Sequence, residues 1–430
     1  MPSFAALPGF RDFYPPDFTV RSHIQNAWRE TARRYGYEEY DGPPLEPLEL
    51  YTEKSGDEIV RQLYNFVDKG ERAVALRPEM TPTFARMVGA RAGGMRKPIR
   101  WFSIPQLFRY ERTQRGRLRE HFQWNVDLVG ETDVSADAEV LAVGLDGLRA
   151  LGLTADDIVA RVNDRRLLDA LLQQQGLSAV QRMAAYGVID KLGREKRDES
   201  LRRFRMEAGL DEATAQIVLG MVESGDLSAL ENRHGSEAVS GHIDRLRRYL
   251  DTLRDLGLGD FVRFDPTIVR GLAYYTGIVF EIFDRKGELR AICGGGRYDA
   301  LLSTVSDVDL PACGFGMGDV VLAELLKERK LLPETKARLD YYIVAVSDAE
   351  RPLQRQLAQV LRGRGRTVSY GFGAAGVGKQ FKDADARGAA RVVVLGPDEV
   401  KQDVAVIKEM ATGTELRVNL SRLLKGEEPA

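Results

Sequence analysis

The sequence predicts an α+β protein: an antiparallel sheet surrounded by helices, a helical insertion in that domain, and a small α/β domain after it. Three observations predict this fold. The β-rich segments of residues 1–330 come in neighbouring pairs joined by tight turns, as antiparallel hairpins do. Residues 167–256 show helical patterns only. After a linker over 331–338, apolar strands alternate with helices throughout 339–430, which is typical of a buried sheet.

Composition narrows the class of protein. The chain has 430 residues and a formal net charge of −2, so it does not bind nucleic acid by bulk charge, and only local basic patches could do so. The charged run 193–205 is either a solvated helix face or a contact for a nucleic-acid backbone. With two cysteines and four scattered histidines, we expect neither disulfides nor zinc, and the cytoplasm as the compartment. We also expect no membrane span and no secretory signal.

The N-terminal region predicts an amphipathic helix and then an extended segment. A proline-rich and aromatic arm over 8–16 precedes a helix over 17–35, which has apolar residues at helical spacing and ends at Gly36. The next segment, EEYDGPPLEPLELY, carries prolines, which sheets tolerate at edges or bulges. The two elements could form a self-pairing surface or a plain surface strand, and the residues favour neither.

A hairpin over 58–76 leads into a helix over 82–92. Glu79, Met80 and Thr81 lie where strand gives way to helix. Threonine and glutamate are common at helix N-termini for purely structural reasons. The same position at the end of a strand also suits a polar binding site, so both interpretations stand.

A second hairpin carries a row of polar side chains. We expect a strand over 101–111, a basic loop over 112–117 and a returning strand over 118–128. On the returning strand, one face holds Arg119, His121, Gln123, Asn125 and Asp127. Such alternation is typical of a solvated sheet face. The three arginines of the loop, however, suit a polyanion such as a triphosphate or a nucleic-acid end.

The segment 267–299 predicts a third hairpin with a tight turn at 284–287. Its first strand is rich in β-branched and aromatic residues, and its second strand covers 289–293. The three glycines of 294–296 then allow a close backbone approach before a helix opens at Tyr298.

Arg270 is the residue of this hairpin that most needs explaining. We place it on the first strand, between Val269 and Gly271 and close to Tyr274 and Tyr275. A charge in such surroundings is costly unless it is paired or meets an anion. The alternatives are a salt bridge to a neighbouring carboxylate and a cation directed at a phosphate, with tyrosine hydroxyls beside it.

Four stretches, LRPEMTPTFARMV, FRYERTQRGRLREHFQWNVDLVG, VRGLAYYTGIVFE and CGGGRYD, resemble the signatures of the class II histidyl-tRNA synthetases. The resemblance covers nearly the whole chain. Its first helix and PPLEP segment resemble the dimer interface of that class, and its tail resembles the anticodon-binding domain. The resemblance implies a cytoplasmic homodimer that joins L-histidine to ATP, supplied with Mg²⁺, and then charges tRNA(His), without zinc.

The resemblance also implies a role for each matching position. The implied catalytic residues are Arg270 and Arg109. The implied ATP contacts are Arg109 at the α-phosphate, Glu111 at the adenine edge, Arg117 at the distal phosphates, and Gln123. The implied histidine contacts are Glu79, Met80, Thr81, Arg109, Gln123, Asp127, Arg270, Tyr274 and Tyr275. Among them, Asp127 and Tyr275 would bracket the imidazole nitrogens.

Three positions depart from the family pattern. Ala273 stands where most members carry aspartate, and Asp127 stands where they carry glutamate. The third class II motif usually ends with an arginine, but its alignment with GFGMGDVVL places Val321 there, so Arg117 or another cation must contact the γ-phosphate. The other site positions are filled, which favours a divergent GFGMGD subgroup over an inactive enzyme. The alternative is the non-catalytic regulatory paralogue of histidine biosynthesis, which typically lacks the anticodon domain.

Overall fold

The computed structural model of the chain describes residues 4–52, 60–192, 195–270, 274–334, 339–373 and 375–427. The chain divides into two units, Met1–Pro333 and Glu334–Ala430. Each unit has its own sheet and its own apolar core.

The strands of the first unit are β1 (Glu38–Glu39), β2 (Leu45–Pro47), β3 (Asn65–Val67), β4 (Ala73–Leu76), β5 (Ile99–Ser103), β6 (Gln106–Phe108), β7 (Glu120–Val129), β8 (Ile158–Asp164), β9 (Val262–Phe264), β10 (Ile278–Asp284), β11 (Cys293–Arg297) and β12 (Ala312–Gly318). Its helices are α1 (Pro15–Arg34), α2 (Glu49–Thr52), α3 (Thr81–Gly89), α4 (Val134–Arg149), α5 (Arg165–Gln174), α6 (Ala179–Ile189), α7 (Arg197–Glu207), α8 (Glu212–Glu223), α9 (Leu227–His234), α10 (Glu237–Asp255), α11 (Leu301–Val305) and α12 (Asp319–Glu328).

Most of these strands build one central sheet. Within the described residues it has nine strands, in the order β1-β5-β7-β12-β11-β10-β8-β9 with β6 paired to β7. Neighbours are antiparallel except β1 with β5 and β8 with β9. The predicted antiparallel sheet is therefore confirmed. A separate antiparallel sheet, β2-β4-β3, has Pro47 on its edge strand, where proline is tolerated.

The core packs against one face of β7 and leaves the other face for polar residues. Trp28 of α1 stacks on Trp124 of β7 with ring centroids 5.9 Å apart, and both side chains are fully buried. Helix α4 can approach the same face closely because Gly147 has no side chain. A Cβ at this position would overlap the Trp124 ring. Successive side chains of a strand point to opposite faces. Asn125 and Asp127 consequently point away from this core.

The helical insertion follows β8 and runs from α5 to α10. Asp164, at the end of β8, caps α5 by accepting a hydrogen bond from Arg166 N at 2.9 Å. The same side chain accepts a bond from Arg245 Nε of α10 at 3.0 Å. The first and last helices of the insertion are thus tied to one residue of the central sheet.

Ion pairs within the insertion engage much of the charged run. Residues 193–194 lie outside the described part of the chain. The pairs are Arg197–Glu223, Arg202–Glu199, Arg203–Glu195, Arg203–Glu207 and Arg205–Glu212. Because these arginines face carboxylates of the insertion itself, the structure favours a solvated helix face over a nucleic-acid contact.

The third hairpin differs from its prediction in where the strands lie. Strand β10 begins only at Ile278, β11 contains the three glycines that we expected after it, and the following helix begins at Leu301. Glycine is a poor strand residue in isolation. Here packing requires it, since a Cβ at Gly295 would lie 2.6 Å from Phe315 Cβ on β12.

Arg270 does not lie on a strand, so that prediction was wrong. It precedes β10, and its φ of 57° is in the left-handed region. This conformation costs a residue other than glycine about 1 kcal/mol, and such strain is most common at functional sites. Residues 271–273, which include Ala273, lie outside the described residues.

The strand expected over 101–111 is interrupted. It forms β5 and β6, which are separated by Ile104 and Pro105. Proline has no N–H for a sheet ladder, but the Pro105 carbonyl still accepts a bond from Gln123 N at 3.1 Å. As a result β5 pairs with the end of β7 and β6 with its beginning.

The second unit is an α/β domain, as predicted. Its strands are β13 (Leu339–Ala345), β14 (Val368–Tyr370), β15 (Ala389–Leu395), β16 (Val404–Glu409) and β17 (Glu415–Asn419). Its helices are α13 (Arg351–Gly363), α14 (Val377–Ala386), α15 (Pro397–Lys401) and α16 (Leu420–Leu424). The sheet order in the described residues is β14-β13-β15-β16-β17. The first three strands are parallel, whereas β16 and β17 form an antiparallel hairpin that the sequence analysis did not predict.

Candidate active site

Two adjoining cavities open beside the polar face of β7. The smaller has a volume of about 70 Å³ and the larger about 480 Å³. Both are lined by Arg109, Gln123, Arg270, Gly294 and Gly316. Two arginines therefore stand at the junction, where a group bound in one cavity would meet a group bound in the other.

The smaller cavity collects eight of the predicted site residues. Its lining consists of Glu79, Thr81, Arg109, Gln123, Asn125, Asp127, Arg270, Tyr274, Tyr275, Gly294, Tyr298, Gly314, Phe315 and Gly316. Met80, which was also predicted to contact histidine, is not among the described residues that line this cavity. It is completely buried at the start of α3, and its sulfur lies 4.0 Å from Arg77 Nη1.

Glycines of β11 and β12 form the floor of the smaller cavity. A Cβ at Gly294 would overlap the Arg270 guanidinium, and one at Gly314 would overlap the Asp127 carboxylate. A Cβ at Gly316 would lie 2.8 Å from Gln123 Cδ. These side chains can therefore lie flat against the sheet only because the strands beneath them have glycine, without a Cβ, at these three positions.

Asp127 is the acidic group of the smaller cavity. It is only 4% exposed, and the Tyr298 hydroxyl donates a hydrogen bond to its Oδ1. Burial raises the pKa of Asp127 to about 7, against the opposing effect of that hydrogen bond. Sequence reasoning missed Tyr298 because the two residues are 171 positions apart. The GGGRYD motif, which contains this tyrosine, was the available signal.

Three tyrosine rings pack together in the lining of the smaller cavity. The ring centroid of Tyr274 lies 5.0 Å from that of Tyr275 and 5.8 Å from that of Tyr298. Edge-to-face and tilted contacts of this kind are favourable. They restrict the shape of the smaller cavity, which all three tyrosines line.

Arg270 forms a salt bridge to a neighbouring carboxylate, which was one of the two alternatives predicted for it. Its Nη1 lies 2.5 Å from Glu281 Oε1 of β10, and the two side chains are 20% and 19% exposed. Its guanidinium carbon is 5.6 Å from the Tyr275 ring centroid. Burial opposes the charge, but Tyr275 and Glu281 outweigh it and raise the pKa of Arg270. Glu281 itself lines the larger cavity, so this salt bridge keeps the cation in the site.

The larger cavity is lined by charged, polar and apolar residues. Besides the shared residues its lining includes Gln62, Glu111, Gly116, Arg117, Leu118, His121, Asp190, Glu281, Arg290, Ala291, Ile292, Cys293, Gly318, Val320 and Val321. Arg117 forms an ion pair with Glu111. Arg115 instead binds Glu324 and Glu328 of α12, at 2.9 and 2.5 Å. Not all three loop arginines are therefore directed at a ligand, contrary to our expectation.

His121 adds a neutral ring to the larger cavity. Desolvation, with the nearby charges of Arg109, Arg11 and Arg117, lowers the pKa of His121 to about 3. The imidazole consequently carries no charge near neutral pH. The predicted polar face of β7 is thus partly a cavity wall rather than a solvated surface.

Comparison with known proteins decides the family. The family described as Histidyl-tRNA synthetase matches residues 9–319, and the one described as Anticodon binding domain matches residues 340–426. The chain belongs to the histidyl-tRNA synthetase family. Its resemblance to this family, predicted from the sequence motifs, is confirmed.

Several histidyl-tRNA synthetase relatives match almost end to end. The chain is 45% identical to the Histidine–tRNA ligase of Opitutus terrae, over 97% of this chain and 96% of that protein. It is 40% identical to the chloroplastic/mitochondrial Histidine–tRNA ligase of Arabidopsis thaliana, over 96% and 85%. The crystal structure of histidyl-tRNA synthetase from Nostoc sp. PCC 7120 superposes with a TM-score of 0.84 at 24% identity, over 99% of each chain. That structure supports the fold.

The residues implied by the histidyl-tRNA synthetase motifs divide between the two cavities. Those expected near histidine, apart from Met80, line the smaller cavity, and Glu111 and Arg117 line the larger one. Val321 also lines the larger cavity. Among the described residues, no cluster of three or more histidine, cysteine or acidic side chains could hold a metal ion. No helix in the described ranges is both long and apolar enough to cross a membrane.

Proposed function

We propose that the chain is a histidine–tRNA ligase, which activates L-histidine with ATP to histidyl-adenylate and transfers the histidyl group to the 3′ end of tRNA(His). One observation carries the proposal: Arg109 and Arg270 stand at the junction between a small polar cavity and a larger one. The names of the relatives that match across nearly the whole chain support it.

The smaller cavity receives histidine. Tyr298 holds Oδ1 of Asp127, which leaves the other carboxylate oxygen for an imidazole N–H. Tyr275 takes the second imidazole nitrogen and Tyr274 shapes the wall. An analogue without these nitrogens would leave buried polar groups unpaired, and this gives selectivity. The α-amino group is bound by Glu79, Thr81 and Gln123.

The larger cavity receives ATP, so that the histidine carboxylate meets the α-phosphate at the junction. A carboxylate oxygen attacks the α-phosphorus in line, the bond to the β-phosphate oxygen breaks, and pyrophosphate leaves. Arg109 and Arg270 offset the negative charge that builds up there. Catalysis then rests on positioning and electrostatics, and the protein forms no covalent intermediate.

ATP enters with Mg²⁺ as part of the substrate complex. The phosphate oxygens of ATP are ligands of the kind that Mg²⁺ prefers. When bound, the ion neutralises part of the phosphate charge. Zinc has no place in this reaction.

The remaining assignments concern partners and compartment. The second unit, which matches the anticodon-binding family over residues 340–426, contacts tRNA(His). Helix α1 and the segment around β2 form the surface of a homodimer. With only two cysteines, both free and buried, the protein suits the reducing cytoplasm.

The alternative function, a regulatory paralogue of histidine biosynthesis, is not favoured. Such paralogues typically lack the anticodon domain, whereas this chain matches the anticodon-binding family over residues 340–426. The relatives at 36–45% identity are named as histidine–tRNA ligases.

Histidine-dependent ATP–pyrophosphate exchange tests the proposed function. The purified protein should catalyse exchange only with histidine, and it should charge tRNA(His). Normal histidine binding without any exchange would contradict the proposal and favour the paralogue.

Arg270→Ala tests the role of the junction. This variant should lose exchange by a factor of at least about 10² and still bind histidine, because Asp127 and the tyrosines remain. Arg285→Ala is the control, since Arg285 is exposed and donates to the Asp260 carbonyl at 3.0 Å. Full exchange activity in Arg270→Ala would remove Arg270 from the mechanism.

A further inference from the structure

The larger cavity contains a fourth arginine, Arg290, to which neither the motifs nor the comparisons assign a role. It lies in the connection between β10 and β11, three residues before Cys293, and it is exposed at the rim. It shares the cavity wall with Arg109, Arg117 and Arg270.

Arg290 faces the loop that carries Arg117. A Cβ built on Gly116 would lie 4.0 Å from Arg290 Cδ and 3.1 Å from Val321 Cγ2. These two atoms are therefore at most about 7 Å apart. Val321 presents only methyl groups at this place, whereas the Arg290 guanidinium can bind an anion.

The charge of the cavity depends on Arg290. Among the described lining residues there are four arginines, against the carboxylates of Glu111, Asp190 and Glu281, while His121 is neutral. Arg117 is paired with Glu111 and Arg270 with Glu281. With Arg290 the lining is cationic by one charge, and without it the lining would be neutral. A triphosphate needs an excess of positive charge around it.

Arg290 also stands at a suitable distance from the reaction centre. Gly294, which contacts the Arg270 guanidinium from below, is four residues further along the chain. Four extended residues span no more than about 14 Å, and an arginine side chain is long enough to return part of that way. The α-phosphate would lie at Arg270, so the region near Arg290 corresponds to the β- and γ-phosphates.

We propose that Arg290 binds the β- and γ-phosphates of ATP, opposite Arg117, and supplies the cation that Val321 cannot. This assignment rests on the proposed function, since it requires ATP in the larger cavity. The guanidinium can hold two phosphate oxygens at once, which fixes the leaving pyrophosphate as well as attracting it.

The test compares Arg290→Ala and Arg290→Lys with wild type and with Arg285→Ala, which removes an exposed arginine of the same hairpin from outside the cavity lining. In Arg290→Ala, KM for ATP in the exchange reaction should rise 10- to 100-fold, with KM for histidine within twofold of wild type. The KM for ATP of Arg290→Lys should lie between the values of wild type and Arg290→Ala, because lysine keeps the positive charge. In Arg290→Ala, equilibrium binding should show a lower affinity for ATP and an unchanged affinity for AMP, because AMP lacks the distal phosphates.

Two results would overturn the assignment. One is a KM for ATP within twofold of wild type in Arg290→Ala. The other is an equal loss of ATP and AMP affinity, which would indicate a general disturbance of the cavity. Matching thermal unfolding curves of Arg290→Ala and Arg285→Ala exclude misfolding as a cause. Absence of exchange in the wild-type protein would contradict the proposed function itself, whereas an active wild type with an indifferent Arg290→Ala would contradict only this inference.

Discussion

Asp127 lies at the bottom of the smaller cavity, and its burial determines how the free protein responds to pH. A carboxyl in an unfolded chain has a pKa of about 3.9, whereas burial raises the pKa of Asp127 in the folded protein to about 7. The folded state therefore holds this proton more tightly than the unfolded state. Linkage requires that stability be lost as pH rises from about 4 to 7, and that the loss be complete above 7.

Replacing Asp127 by Asn should remove this loss of stability at high pH. The melting temperature of Asp127→Asn minus that of wild type should be larger at pH 8 than at pH 5, because only the wild-type protein must bury a charge at pH 8. Thermal unfolding at the two pH values measures the difference. An equal offset at both values would show that Asp127 does not titrate as proposed. The same variant should bind histidine more weakly, since an amide cannot replace both carboxylate oxygens as acceptors.

At the scale of elements, β11 and β12 form the floor of the site because they consist largely of glycine. Their pairing places Gly294 opposite Gly316 and Gly296 opposite Gly314. The side chains above this floor, Arg270, Asp127 and Gln123, occupy the space where Cβ atoms would be. The glycines of this strand pair therefore make room for the side chains that we propose to bind the ligand.

Gly314→Ala tests this role of the floor. The added methyl group would overlap the Asp127 carboxylate, so we expect a loss of histidine affinity and a decrease of about 1–3 kcal/mol in the free energy of unfolding. Gly144→Ala is the matched control, because its methyl group would be 3.5 Å from Phe315 Cε1, an ordinary contact. Denaturant unfolding and calorimetric histidine binding give both quantities. Unchanged histidine affinity in Gly314→Ala would contradict the arrangement.

At the scale of the whole molecule, we expect the first unit alone to carry out activation. Every described residue that lines either cavity lies before position 322, within the unit that ends at Pro333. The second unit has a separate sheet and core. Adenylate formation should therefore not need it, whereas tRNA charging should.

A chain that ends at Pro333 should separate the two activities. We expect histidine-dependent exchange to remain within about tenfold of the full chain, with tRNA charging reduced by a larger factor because the anticodon-binding unit is gone. Circular dichroism of the shortened chain checks that it is folded. A folded chain without exchange would show that the second unit contributes to activation.

Much of this architecture could be predicted from the sequence because it depends on local patterns. Alternating polarity along 118–128 indicated a strand with a polar face, apolar spacing indicated α1, and short apolar runs indicated the second unit. Proline in the segment around Pro47 correctly indicated an edge strand. The paired β-rich segments predicted the antiparallel sheet and the motif resemblance predicted the family, and both are confirmed.

Local patterns were thus enough to predict the fold class, the two kinds of domain and most of the polar residues that line the smaller cavity, since periodicity and motifs are local properties. The structure was needed to show that Arg270 precedes its strand, that glycines 294–296 belong to β11, and that Met80 is buried and outside the described cavity lining. It also decided the partners of distant residues, such as Tyr298 with Asp127 and Arg290 with the loop of Gly116. The physical reason is that these features depend on which strands pair and how closely they pack, and such contacts join residues far apart in the chain.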